Sequence, residues 1–392
     1  MRCLSFLRRT PALLSLLLPV DAGAVTFTQD VHRIPGMSAG TETALTTIRL
    51  TGPFKAGDSE ELRRMLTRLK AAKVDSADRS LATAELSSRG GDVFESLKIG
   101  YMFREFRVAT LVRKGDVCLS ACALAFLGGA AGRSPFDVEP SRTIELGGQV
   151  GFHNVAVYYE ALHASLEGDR RTVVTEGFDL ALGGSSAIIR FAADMAVDPL
   201  FVARLLGRPA DQYEYIDTAG EFSRLGVCLS EPLLPQASRE RQAANLCNNA
   251  IRGPNSASPS QARPLTAREA RLVLMRHVVS SMTASGSRGG LANQVDAVIA
   301  TKRDDLLSEL YGNLKAAGLA LPQLGGTVYQ VEGYTAGVEP MTCMASFSIS
   351  EPDRYDLVVQ GPRGLAPPPR SAPSTCRWLF RFDADDVINP RR

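Results

Sequence analysis

An α/β fold is predicted by three features of this sequence. Segments rich in Thr, Val and Ile alternate with amphipathic segments, glycine-bearing turns separate them, and the strand–turn–helix order recurs across about residues 40–250. No repeat of fixed period accompanies that order. A different texture follows at 251–264, where Gly253–Pro264 reads GPNSASPSQARP. Small, polar and Pro residues of this kind make a linker. Residues 265–392 then read as a small C-terminal α+β module.

Thr43–Leu50 is the first predicted strand of the larger unit. Ser59–Lys73 predicts an amphipathic helix capped by Ser59, with Leu62, Met65, Leu66 and Leu69 on one face. Leu81–Leu86 predicts a strand that ends in Ser87-Ser88-Arg89-Gly90-Gly91-Asp92, a turn into a second helix. Val108–Val112 predicts another strand. It leads through Gly115 to Cys118-Leu119-Ser120-Ala121-Cys122 and an apolar helix. Arg142–Glu145 and Gln149–His153 predict further strands. Residues 154–207 read as largely helical, clearest at Ser186–Val197 and Pro199–Leu206, with Val173–Ala181 a loop or strand. In the smaller module, Ala267–Thr283 and Ala292–Ala317 are helical, strand-like text follows Gly325, and Ala366–Pro373 is a Pro-rich loop.

Residues 1–24 carry Arg2, Arg8 and Arg9, an apolar run from Pro11 to Val20, and then Ala22 and Ala24. That order is a signal peptide with an A-x-A cleavage pattern, and it predicts a periplasmic or secreted protein. The run is too short to span a bilayer, and no later stretch approaches the ~20 apolar residues that a span needs. Seven cysteines are present, and Cys3 leaves with the leader. The even remainder is Cys118, Cys122, Cys228, Cys247, Cys343 and Cys376. In an exported chain it predicts disulfides. Chain order suggests Cys118–Cys122, Cys228–Cys247 and Cys343–Cys376. Other pairings stay open, as do buried thiols acting as small apolar side chains.

Charge is nearly balanced, with 44 basic and 42 acidic residues for a net of +2. Such a balance has no nucleic-acid footprint and gives no reason for binding anionic membranes. No Cys-x2-Cys pair occurs, and His32, His153, His163 and His277 do not cluster, which argues against a metal site. No phosphate-cradling glycine loop with its lysine occurs either, which argues against ATP.

Three segments carry the chemistry. The Gly90–Gly91 turn can aim backbone N–H groups outward, as an oxyanion site requires. Ser120 lies among small residues at the start of a helix, where unpaired N–H groups favour negative charge. His153 ends a strand beside Gly151 and is a general base for a serine. Each has a plainer alternative: a tight turn, an N-cap serine and a structural histidine.

In combination, the glycine turn, the small-residue serine turn and the strand-end histidine resemble the Clp protease proteolytic subunit and its relatives in the Clp protease/crotonase superfamily. The Cys-x-Ser-Ala-Cys segment followed by an apolar helix and Gly128–Gly129 looks like the periplasmic Clp-protease-like branch. The resemblance covers about residues 44–235 and leaves out the C-terminal module. It implies a Clp/crotonase-like spiral of β-β-α units, with Ser120 as nucleophile and His153 as general base. It also implies an oxyanion hole from Gly91 and Ala121. The acidic third member falls in Ala210–Ile216, as Asp211 or Glu214. Related signal-peptide peptidases use a serine–lysine pair, but no lysine lies between Lys114 and Lys302. The implied protein is a homo-oligomer with contacts in 154–200. It would hydrolyse a peptide or protein substrate with no cofactor. A catalytically inactive binding or scaffold protein and a crotonase-like acyl-thioester enzyme are the competing readings, and an exported location disfavours the thioester.

Overall fold

Thr46, Ile48 and Leu50 point inward from one strand while Leu45, Thr47 and Arg49 stay more open, the two-residue period of a sheet with a covered face. The computed structural model describes residues 25–35, 42–72, 80–132, 138–154, 170–209, 211–252, 261–273, 275, 289–316, 326–336, 339–348, 354–361, 364–365 and 376–391. The leader at 1–24, His163, most of the linker and Ala366–Pro373 lie outside them.

The chain is mixed α/β. Its larger sheet holds β1 (Thr26–Pro35), β2 (Glu42–Thr51), β3 (Ala82–Ser87), β4 (Val108–Val112), β8 (Arg142–Ile144) and β11 (Val227–Leu229), in the order β1-β2-β3-β4-β8-β11. Pairings from β2 onward are parallel, and β1 joins the edge antiparallel. In β3, Ala84, Glu85 and Leu86 are buried in succession, so both faces of that strand are covered. Two-residue strands β6 (Ala130–Ala131) and β7 (Glu139–Pro140) pair beside it.

A second, smaller sheet is built from β5 (Val117–Leu119), β9 (Gln149–Phe152) and β10 (Glu214–Tyr215), in the order β10-β9-β5. Single bridges join Ser88 to Cys118 and Phe54 to Gly91. Each long strand therefore sends its chain a few residues further into a short extended contact. β2 leads to Phe54, β3 to Ser88–Gly91, β4 to β5 and β8 to β9. A helix follows each time: α1 (Asp58–Ala72), α2 (Val93–Phe106), α3 (Ala121–Phe126) and, after residues outside the described set, α4 (Arg170–Asp194).

The helices follow their sequence signals closely. α1 buries Leu62 and Leu66 with Met65 and Leu69 beside them, and starts at Asp58, one residue before the expected cap. Asp92 caps α2 by accepting the Glu95 N–H at 2.8 Å. α4 is helical through Val173–Ala181, where loop or strand is expected from the sequence. α5 (Pro199–Leu206) carries Pro at its start, and α6 (Ala219–Arg224) opens with a capping box of Thr218 and Glu221.

Glu95 joins α1 to α2. Its carboxylate accepts the Ser59 N–H at 2.7 Å and Lys98 Nζ–H at 3.1 Å. Burial opposes its ionisation, but the bonds from Ser59 and Lys98 outweigh burial and hold the carboxyl below its ordinary value. A carboxyl held low contributes stability that is complete above its unfolded-state pKa and lost as pH falls through the folded one. Stability is therefore expected to decline in acid, and Glu95→Gln to flatten that decline. Urea unfolding across the acid range checks it.

The C-terminal region does not stand apart. α7 (Arg239–Arg252), which runs two residues into the predicted linker, places Ala243, Leu246 and Cys247 against Tyr329, Val331, Cys343 and Ala345. These four belong to a five-stranded antiparallel sheet of β12 (Ala262–Pro264), β13 (Val328–Ala336), β14 (Glu339–Phe347), β15 (Tyr355–Gly361) and β16 (Gly364–Leu365). The end of the expected linker is thus strand β12. α8 (Gly289–Thr301) and α9 (Asp304–Ala316) pack together through Val295, Leu307 and Leu314. Residues 376–391 then return to the larger unit, where Trp378, Leu379, Phe382 and Ile388 join its core.

Three disulfides staple this arrangement, as an oxidising compartment outside the cytosol allows. Cys118 pairs with Cys122, as chain order suggests. The other two pairings correct the expectation: Cys228 pairs with Cys376 and Cys247 with Cys343, at Cα separations of 5.6 and 5.8 Å. Chain order favours near neighbours, but α7 docks on β14 and the returning segment docks on β11. Among the described residues, no helix is long and apolar enough to cross a membrane.

Candidate active site

Ser120 stands where β5 turns abruptly into α3. Its backbone has φ 58° and ψ −124°, a conformation that L-residues rarely adopt. Such a residue costs about 1–3 kcal/mol and persists only where its surroundings hold it. Here the Ser120 N–H donates to Gly151 O at 2.9 Å, and the Cys118–Cys122 disulfide closes the turn on both sides. Ser120 makes no side-chain capping bond, so the N-cap alternative fails. α3 has six residues, too short for a strong dipole. What its start offers is unpaired backbone N–H.

β9 runs parallel to β5 and delivers His153 beside the serine. Ser120 Oγ lies 2.6 Å from His153 Nε2, across 33 residues of chain. Both residues are half-buried, so the pair is open to a ligand. The chain beyond His153 is pinned, because Asn154 Nδ2 donates to Leu206 O at 2.9 Å at the end of α5.

The glycine turn comes in from β3. Gly90 packs directly on Ser120, and a Cβ there would sit 2.9 Å from Ser120 Cβ and 3.3 Å from Oγ. Gly91 packs on Phe54. The Phe54 N–H donates to Gly90 O and the Asp92 N–H to Phe54 O, which directs the Gly91 N–H away from Phe54. Among the described residues, neither the Gly91 nor the Ala121 N–H makes a hydrogen bond. The turn before Ser120 is braced from the larger sheet, where Arg49 donates to both carboxylate oxygens of Asp116 at 3.0 and 2.9 Å.

Neither expected acidic partner engages His153. Asp211 is exposed in a turn. Glu214 is buried, but in the β9–β10 register it stands opposite Phe152, not His153. Directly opposed residues share a face of a sheet and successive ones alternate. Glu214 therefore lies on the Phe152 side. There Arg204 Nη2 meets Oε1 at 2.6 Å, and Arg208 Nε lies 3.0 Å from Oε2 without hydrogen-bond alignment. One residue earlier comes Tyr213, whose ring lies 4.8 Å from the imidazole at a tilt of 51°. His153 Nδ1 is buried and has no hydrogen-bond partner among the described residues. Tyr213 is thus the neighbour that sequence reasoning missed. The register of a two-residue strand was the only signal for it, and periodicity cannot supply that.

The site so assembled holds a serine and an imidazole in contact, with two backbone donors nearby and no carboxylate on the imidazole. Comparison with known proteins finds no family model and no curated protein that matches this chain.

Proposed function

We propose that this protein is an exported serine hydrolase, a peptidase by class, working through Ser120 and His153. The observation that carries the reading is the 2.6 Å contact between Ser120 Oγ and His153 Nε2 at a backbone turn of rare conformation. Ser120 Oγ attacks a peptide carbonyl while its proton passes to Nε2, and the Gly91 and Ala121 N–H groups stabilise the oxyanion. The C–N bond then breaks as the same proton moves to the leaving amine. Water, deprotonated by His153, releases the acyl group and restores the serine. No cofactor takes part, and ATP has no role.

The recurring strand, short strand and helix support placing residues 44–235 in the Clp protease/crotonase superfamily, as a periplasmic Clp-protease-like protein. The leader and the three disulfides support a periplasmic or secreted site of action. A homo-oligomer accords with the exposed Phe178, Leu182 and Ile189 on α4 and with Phe94 and Tyr101 on α2. Light scattering at micromolar concentration is expected to give a mass above 42.1 kDa, and a monomer would count against self-association.

One observation favours a second reading, a catalytically inactive binding or scaffold protein of the cell envelope: His153 Nδ1 lacks the carboxylate that usually orients such a base. Fluorophosphonate labelling of the oxidised protein decides between the two. A hydrolase is expected to be labelled at Ser120, with labelling abolished in a folded Ser120→Ala. An unlabelled wild type would sink the hydrolase reading and leave the scaffold.

A further inference from the structure

The returning C-terminal segment makes a set of contacts that the reaction above does not use. It runs beside the chain that follows β10. The Gly220 N–H donates to Ala384 O at 2.8 Å and the Ala219 N–H to Asp386 O at 2.9 Å. Thr218 bridges Val387. Asp217 O then accepts from the N–H groups of both Ile388 and Asn389, at 2.9 and 3.1 Å. Arg391 closes the run, with Nε 3.1 Å from Asp217 Oδ2 and its guanidinium over the Tyr215 ring.

Asn389 is 4% exposed, and both ends of its amide are engaged. Oδ1 accepts the Gly147 N–H at 2.8 Å, and Nδ2 donates to Gly148 O at 2.8 Å. These partners are 242 and 241 residues away in the chain. Gly147–Gly148 is the turn that leads into β9 and so to His153. The same turn touches the one before Ser120, since the Gly115 N–H donates to Gly147 O at 3.2 Å and the Gln149 N–H to Asp116 O at 3.0 Å. On its other side, the Asn389 backbone holds Asp217, two residues beyond the strand that sets Tyr213 against the imidazole. One buried side chain thus joins the origin of β9 to the end of β10 at one end of their antiparallel pairing, and His153 leaves β9 at the other end, beside Tyr213.

We infer that Asn389 is a positioning residue for His153, fixing the imidazole against Ser120 from the far end of the chain. The inference rests on the Ser120–His153 hydrolase reading. Its physical basis is the steepness of reaction rate with geometry: a misplacement of about 1 Å remote from the chemistry can cost about 10²-fold. Without the Asn389 amide, the Gly147 N–H and Gly148 O lose their partners and the β9 turn is free to shift.

The test is the rate of Ser120 acylation by a fluorophosphonate in the full chain, measured well below each variant's unfolding transition and from mildly acid to mildly alkaline pH. Asn389→Ala is expected to slow acylation about tenfold at every pH, leaving the inflection of the profile in place. Asn389→Asp keeps the acceptor for Gly147 and loses the donor to Gly148, so an intermediate rate is expected. It decides the matter if the alanine variant does not fold. A residue that only supported the fold would lower the melting temperature without slowing the folded enzyme. Wild-type rates in the folded variants would therefore overturn the inference and leave the hydrolase intact. An unlabelled wild type would overturn both.

Discussion

Replacing His153 with alanine is expected to slow acylation of Ser120 by about 10²–10⁴-fold, the usual worth of a positioned general base. A serine hydroxyl is a weak nucleophile until its proton has somewhere to go, and Nε2 at 2.6 Å is the acceptor in reach. The companion variant is Glu214→Gln. Removing a carboxylate that orients a catalytic imidazole costs about 10⁴-fold. Glu214 faces the Phe152 side and is held by Arg204 and Arg208. Its replacement is therefore expected to leave acylation of the folded protein within about threefold of wild type, well below the loss of a true orienting group. Stopped-flow or gel-based labelling of the two variants separates the cases. A loss in Glu214→Gln as deep as in His153→Ala would restore the carboxylate to the machinery and overturn the assignment of its face.

The second large effect comes from two adjacent glycines that serve different ends. Both have positive φ, +118° at Gly90 and +136° at Gly91, so any side chain is strained there by about 1–3 kcal/mol. At Gly91, an added Cβ also falls 2.3 Å from Phe54 O and 2.5 Å from Phe54 N, both backbone atoms inside a hydrogen-bonded bridge. Nothing there can yield cheaply, and overpacking of this kind adds about 1–3 kcal/mol. Gly91→Ala is expected to lose about 2–6 kcal/mol in urea unfolding. At Gly90 the tightest contact is Ser120 itself, 2.9 Å away at Cβ, with Leu119 O next at 3.1 Å. Gly90→Ala is expected to lose less stability but to slow Ser120 labelling more than tenfold, because the side chain that yields is the reacting one. Unfolding of Gly91→Ala at the wild-type midpoint would show that the turn can move off Phe54 at little cost. Wild-type labelling of Gly90→Ala would show the same for the glycine turn and the serine.

Much of the core is legible in the amino-acid sequence because its signals are local. The apolar stripe of Leu62, Leu66, Met65 and Leu69 needs only the helix period, and α1 buries it as expected. The strand at Val108–Val112 and the turn at Gly90–Gly91 need only branched side chains and the freedom of glycine. Ser120 and His153 are conspicuous for their residue types and small neighbours, and the parallel pairing of β5 with β9 brings them together. The recurring strand, short strand and helix escape detection as a repeat because the pieces differ in length, from a lone Phe54 bridge to the four residues of β9.

Local sequence was enough to dictate the mixed α/β class, the helical stripes, the turn glycines and the two candidate side chains, Ser120 and His153, all features that a few neighbouring residues set. Which face of β10 meets the imidazole was settled only by packing in three dimensions. A one-residue change of register exchanges Tyr213 for Glu214, and no local propensity distinguishes those registers in a two-residue strand. Packing likewise settled the partners of Cys228, Cys247, Cys343 and Cys376 and the reach of Asn389 back to Gly147. Contacts so far apart in the chain arise from the docking of whole elements, whose free energy no short window of sequence contains.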